Sequence, residues 1–257
     1  MRQSPQLVVV SGDFTQLGTE AEFAAARDFL DRLTAPVFAV PGNHDVPVRN
    51  ILRRFLDPYG LYRRYICEQL EPFLEIDGVA IAGIKTARRA RAELNWAHGS
   101  ISRRQLTSMK SRFEKASPDA LRVVVAHHPL LQPEGPMASP MRPVRRADQA
   151  LETFADLGVR LVLSGHFHLS YVRKHVRPGV AAEGKPIGLR QAADLPILVA
   201  QASSTISTRL RGDTNAYNLI DMSPDAISVT VREWRNARWT TREHESVAVG
   251  SVGSPGL

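Results

Sequence analysis

The chain has 257 residues, 43% of them apolar and 23% charged, a globular balance that excludes a disordered chain. A single cysteine, Cys67, excludes an internal disulfide framework and is compatible with a reducing cytoplasm. No apolar run reaches membrane-spanning length and residues 1–5 carry no signal-peptide core, so a cytoplasmic protein without a membrane partner is expected.

In chain order, the apolar run 7–10 leads directly into Ser11-Gly12-Asp13. Thr19 followed three residues later by Glu22 is a capping box, and Phe23, Ala26, Leu30 and Leu33 recur at helical spacing, predicting a helix over 20–33. The run 36–40 then leads into Pro41-Gly42-Asn43-His44-Asp45. This strand–helix–strand unit favours parallel pairing. Residues 73–76 and 79–83 flank Asp77-Gly78, a two-residue hairpin signal. Ser102 and Gln105 repeat the capping signal ahead of the stripe Leu106, Met109 and Phe113.

The run 121–126 leads into His127-His128-Pro129, and a Pro- and Arg-rich stretch, 131–146, reads as a mobile loop beside it. A third helix is predicted over 147–157, stopped by Gly158 where a left-handed residue is wanted. The run 159–163 leads into Ser164-Gly165-His166-Phe167-His168, and 217–222 and 227–234 flank a Ser-Pro-Asp turn as an antiparallel pair. Residues 1–245 form one domain in this reading, and 246–257 a flexible tail.

Four apolar runs thus end at once in Asp, Asn or His. Strand ends of that kind place hard oxygen and imidazole donors along the carboxyl edge of a sheet, where α/β sheets carry ligands. A turn Asn or a buried, hydrogen-bonded His explains any one cluster; four in series point to a metal site.

The clusters Gly12-Asp13 with Gln16, Gly42 to Asp45, His127 to Pro129 and Gly165 to His168 resemble the calcineurin-like metallophosphoesterases. Within them, Asp57-Pro58-Tyr59-Gly60, and Arg209 to Gly212 ahead of Asn215 and Tyr217-Asn218, look like the bacterial class III cyclic nucleotide phosphodiesterases. The resemblance implies an α/β fold, a four-layer αββα sandwich of two stacked mixed sheets flanked by helices. It also implies two metal ions, Mn2+, Fe2+/Fe3+ or Zn2+. Asp13 would bridge them; Asn43, His127 and His166 would complete the second-metal site, and His168 would serve the first. A bridging hydroxide would attack phosphorus, with His44 as proton donor to the leaving alkoxide and Asp45 orienting it or capping a helix. His128 would stand behind the ligands. His98 reads as a solvated loop residue, with an approach to the site as the alternative; His175 and His244 carry no motif and read as surface residues.

The family's opening Asp-x-His occurs nowhere in the sequence. A lead-in of ~30 residues is therefore expected to be absent, so that the fold lacks its first strand and the first-metal site is incomplete. The implied activity is phosphodiester hydrolysis, with 3′,5′-cyclic nucleotides as a candidate substrate. The alternatives are a phosphomonoesterase or nuclease of the same superfamily, or a catalytically impaired metal-binding scaffold. The net charge of +7 favours an anionic partner. The Arg doublets are scattered without interleaved aromatics, so a nucleic-acid groove is not expected. A homodimer is kept as a possibility.

Overall fold

The computed structural model describes residues 4–88, 98–134, 142–177, 195–207 and 213–249. In the first part β1 (Val8–Val10), α1 (Glu20–Leu30), β2 (Val37–Ala39), α2 (Ile51–Leu56), α3 (Gly60–Tyr65), β3 (Phe73–Ile76) and β4 (Val79–Ile84) follow one another. After them come α4 (Arg103–Phe113), β5 (Leu121–Ala126), α5 (Ala147–Asp156), β6 (Val159–Ser164), β7 (Tyr171–His175) and β8 (Ile197–Gln201). The chain closes with β9 (Ala216–Met222), β10 (Ala226–Arg235) and β11 (Arg238–Ala248).

Six strands form one sheet in the order β3-β4-β5-β6-β8-β7, with the four central strands parallel and both edge strands antiparallel. The central strands are near-continuous apolar runs because both their faces are covered. Ala80, Ala82, Ile84, Val124, Ala126, Val162 and Val199 face α4 and α5, whose Met109, Phe113, Leu151 and Phe154 fill that core. The alternate residues Ile81, Val123, Val125, Leu161, Leu163 and Leu198 face a second layer.

That second layer consists of two separate sheets: the parallel pair β1-β2, and the antiparallel meander β11-β10-β9. Phe38 and Val40 from the first and Ile227, Val229 and Val247 from the second close the same core. Val37 and Ala39, on the other face of β2, lie with Leu30 of α1 around a surface cleft of about 320 Å3. Helices, sheet, strand layer and helix make the expected αββα sandwich. Among the described residues β1 pairs only with β2.

The local signals account for these elements. Thr19 and Glu22, and Ser102 and Gln105, both form complete capping boxes. Asp77 and Gly78 have φ of 47° and 75°, as a two-residue hairpin turn requires, and Gly158 sits at φ 68° after α5.

Four expectations are corrected. The first helix ends at Leu30, capped by Asp31, because Arg32 and Leu33 donate to the carbonyls of Phe29 and Leu30 and close as tighter turns. Residues 246–249 are not part of a flexible tail: β11 runs to Ala248 with Val247 buried, and Val249 N–H donates to Asp225. Residues 142–146 are a fixed segment: Val144 donates to Pro129, Ser100 bridges Arg145, and Arg146 Nη1 donates to Ile101. Helices α2 and α3 and strands β7, β8 and β11 are additional to those predicted. The rest of the Pro-rich loop (135–141), the Arg209 to Gly212 motif and residues 250–257 lie outside the described residues.

Candidate metal centre

Each predicted cluster follows the carboxyl end of a strand: Asp13 after β1, Asn43 after β2, His127 after β5 and His166 after β6. Parallel strands bring those ends to one edge, and the loops meet there. The contact between the first two loops is so close that a Cβ on Gly42 would lie 2.1 Å from Asp13 Oδ1. One on Gly12, at φ 96°, would lie 2.6 Å from Gly42 N and 2.8 Å from His127 Nδ1. Glycine is required at both positions, at the first for its positive φ as well.

His127 is buried, and its Nδ1 lies 2.7 Å from the Ser11 carbonyl. A carbonyl only accepts, so the ring proton sits on Nδ1 and Nε2 presents its lone pair. That lone pair faces Asn43 Oδ1 at 2.9 Å, His166 Nδ1 at 3.2 Å and Asp13 Oδ2 at 3.4 Å. Asn43 Oδ1 is also 2.9 Å from His166 Nδ1. Lone pairs aimed at one another at these distances repel unless a proton or cation lies between them. Two imidazoles, an amide oxygen and a carboxylate are a donor set that fits a borderline divalent ion.

The structure therefore brings together Asp13, Asn43, His127 and His166, and adds His128. The ring nitrogens of His127, His128 and His166 can lie within 4.8 Å of one another. His128 Nδ1 is 2.7 Å from Thr86 Oγ1, which also accepts the His128 N–H at 3.1 Å. Gly99 packs so tightly on this ring that a Cβ there would come within 2.5 Å of it. Gly99, the residue after His98, is therefore buried against the His128 ring. His168 lies outside the three-histidine cluster, two residues along the same loop.

Backbone strain is concentrated here. Asp13, His166 and His168 are non-glycine residues at φ 59°, 79° and 59°, conformations that persist only when surroundings hold them. Gln201, buried at the end of β8, accepts from Ser164 Oγ at 2.8 Å and donates to the Gly165 carbonyl. Ser203 Oγ donates to the His168 carbonyl at 3.1 Å. Gln201 was missed although its signature is the same: the apolar run 197–200 ends at once in a polar residue.

Asp45 is turned into the loops. Its carboxylate accepts from the N–H groups of Asp13 (2.9 Å), Gly42 (2.8 Å) and Thr15 (3.1 Å). Burial, and then the Asp13 carboxylate beside it, push its pKa up to about 7 against those hydrogen bonds. The expectation that Asp45 orients His44 is corrected: His44 Nδ1 is held by the Gln16 carbonyl at 2.7 Å. Asp13 Oδ1 accepts the His44 N–H at 2.9 Å. Gln16 is fixed in turn by Glu22, whose carboxylate accepts from the N–H groups of Gln16, Leu17 and Thr19.

With fold and site together, comparison with known proteins is decisive at the level of family. The family model described as calcineurin-like phosphoesterase matches residues 2–170, and the chain belongs to that family. It is 29% identical over 174 residues to a probable cyclic nucleotide phosphodiesterase from Synechococcus, covering 67% of this chain and 61% of that protein. It is 26% identical over 129 residues to a probable glycerophosphodiester phosphodiesterase from Arcobacter nitrofigilis, covering 50% and 44%. The chain thus matches less than two thirds of either relative's length. Among solved structures, a dimetal phosphatase from Danio rerio superposes with a TM-score of 0.60 at 12% identity, over 95% of this chain and 83% of that one. A purple acid phosphatase from yellow lupin gives 0.60 at 10% identity, over 95% and 46%. At such identity these two show the shared fold.

Proposed function

We propose that this chain is a metal-dependent hydrolase of small phosphodiesters, with 3′,5′-cyclic nucleotides as its leading substrate class. The observation that carries the reading is the lone pair of His127 Nε2, facing Asn43, His166 and Asp13 within 3.4 Å. Those four residues would hold one ion, and Asp13 and His168 are the residues for a second. A bound ion would supply positive charge at the phosphoryl oxygens and a more acidic water.

The chain's own groups do the rest. Asp13 fixes the His44 backbone, and the Gln16 carbonyl fixes the ring through Nδ1. Nε2 is left as the atom to hold the proton that a leaving alkoxide takes up. The names of both relatives, each a phosphodiesterase, favour a diester over a monoester. The name of the first supports the cyclic nucleotide.

The test is Mn2+ binding by calorimetry together with hydrolysis of bis(p-nitrophenyl) phosphate. His127→Ala is expected to weaken Mn2+ binding at least ~10-fold, the usual cost of disturbing a metal site, and to lose hydrolysis with it. A wild-type chain that binds Mn2+ but cleaves no diester would favour the catalytically impaired metal-binding scaffold, and one that does neither would overturn the reading.

A further inference from the structure

Helix α2 has its polarity inverted. In Ile51–Leu56 the charged Arg54 is buried at 3% exposure, its guanidinium Nη1 donating to the Pro47 carbonyl at 2.9 Å. The apolar residues are outside: Ile51 is 63% exposed, Leu52 71% and Leu56 75%, with Val48 and Phe55 beside them. Scattered apolar residues on a surface need no explanation, but a contiguous set marks an interaction surface. Here the set is held outward. Arg54 anchors the helix to the loop that follows Asp45, and Asn50 caps it by accepting from Arg53 N–H at 2.9 Å. The Val48 N–H donates to Leu17, next to the Gln16 carbonyl that holds His44.

We propose that this patch docks the protein on an anionic phospholipid surface, beside the loop that holds His44. Two observations select that partner. The first is area: a stable second copy would need about 20–30 residues a side, whereas five side chains on one short helix and its lead-in suffice to seat in a headgroup layer. The second is charge. Exposed Arg49 precedes the helix, Arg53 lies within it, and Arg63 stands next to it. The acid among them, Asp57, is 3.5 Å from Arg63. The chain as a whole carries +7. Apolar side chains flanked by Arg49 and Arg53 match a bilayer with negative headgroups. No helix of the described residues is long and apolar enough to cross a membrane; the contact proposed here is peripheral.

The experiment is co-sedimentation of the whole chain with vesicles of phosphatidylcholine alone and of phosphatidylcholine mixed with phosphatidylglycerol. Binding to the mixed vesicles is expected, weakening with added salt. The double variant Leu52→Ser, Leu56→Ser should bind about tenfold more weakly or worse, since each buried apolar side chain contributes to the partition. Arg49→Gln should weaken binding to the mixed vesicles only. Both leucines are exposed, so folding is not at stake, and hydrolysis of a soluble diester by the double variant should match wild type. Absence of binding to the mixed vesicles, or full binding by the double variant, overturns the proposal. So does a dimer in sedimentation velocity that the double variant dissociates, with no vesicle binding. Because binding is read without catalysis, its failure leaves the hydrolase reading standing.

Discussion

At the scale of single residues, His44 and Asp45 are neighbours with different work. The His44 ring rests on the Gln16 carbonyl, and its other nitrogen is the proposed proton carrier. His44→Ala should therefore slow hydrolysis of cyclic AMP by ~10²–10⁴-fold, the usual worth of general-acid help. Bis(p-nitrophenyl) phosphate, whose nitrophenolate leaves without a proton, should slow far less. The decisive quantity is the ratio of the two losses at equal metal occupancy, and equal losses would remove His44 from that role.

Asp45 predicts a pH effect of definite sign. Its folded value of about 7 lies above the ordinary 3.8, so the folded state binds this proton more tightly. The associated stability is present below 3.8 and is lost as pH rises through 7. In the presence of EDTA, the urea midpoint should fall across that window. Mn2+ should flatten the fall by offsetting the Asp13 charge. Asp45→Asn should remove this part of the pH dependence while lowering the midpoint throughout, since an amide cannot accept from all three N–H groups that the carboxylate serves.

Among elements, the first turn of α1 does more than start a helix. Glu22 completes the capping box with Thr19 and also gathers the N–H groups of Gln16 and Leu17. Glu22→Ala should cost about 1 kcal/mol or somewhat more, the worth of a cap, visible as a lower thermal midpoint. Because Gln16 then loses its tether, the same variant should slow cyclic AMP hydrolysis more than nitrophenyl diester hydrolysis. Equal slowing of both would separate the cap from the seat of His44. The capping box was legible from two residues at fixed spacing. Its second task was not, because it depends on how the loop 13–18 folds back over the helix end.

For the molecule as a whole, the centre ties four strand ends and both strand layers together. A ligand that binds only the folded state stabilises it by mass action, about 2.7 kcal/mol at a hundredfold excess over the dissociation constant. Mn2+ should therefore raise the thermal midpoint and EDTA should restore the lower one. His127→Ala should show neither shift. A wild-type midpoint indifferent to Mn2+ would count against the centre as a stabilising site.

The central strands other than β8, the three long helices and both hairpins were readable because each rests on local physics: runs of apolar residues, capping pairs and turn dipeptides. The candidate ligands were readable because they stand immediately after those runs. Helices α2 and α3 were not, since residues 51–65 mix Arg with Leu and Tyr and give no clear apolar stripe. Nor was β11, whose Arg238–Ala248 is mostly polar and is placed by pairing with β10. What the sequence by itself determined is the family resemblance, the sandwich and the donors offered at the strand ends. Tertiary structure alone decided that the Ser11 carbonyl fixes the His127 tautomer, that Gln16 rather than Asp45 holds His44, and that α2 turns its leucines outward. Each of these depends on backbone groups or packing partners far away in the chain, and residue identity carries no record of which distant carbonyl a side chain will meet.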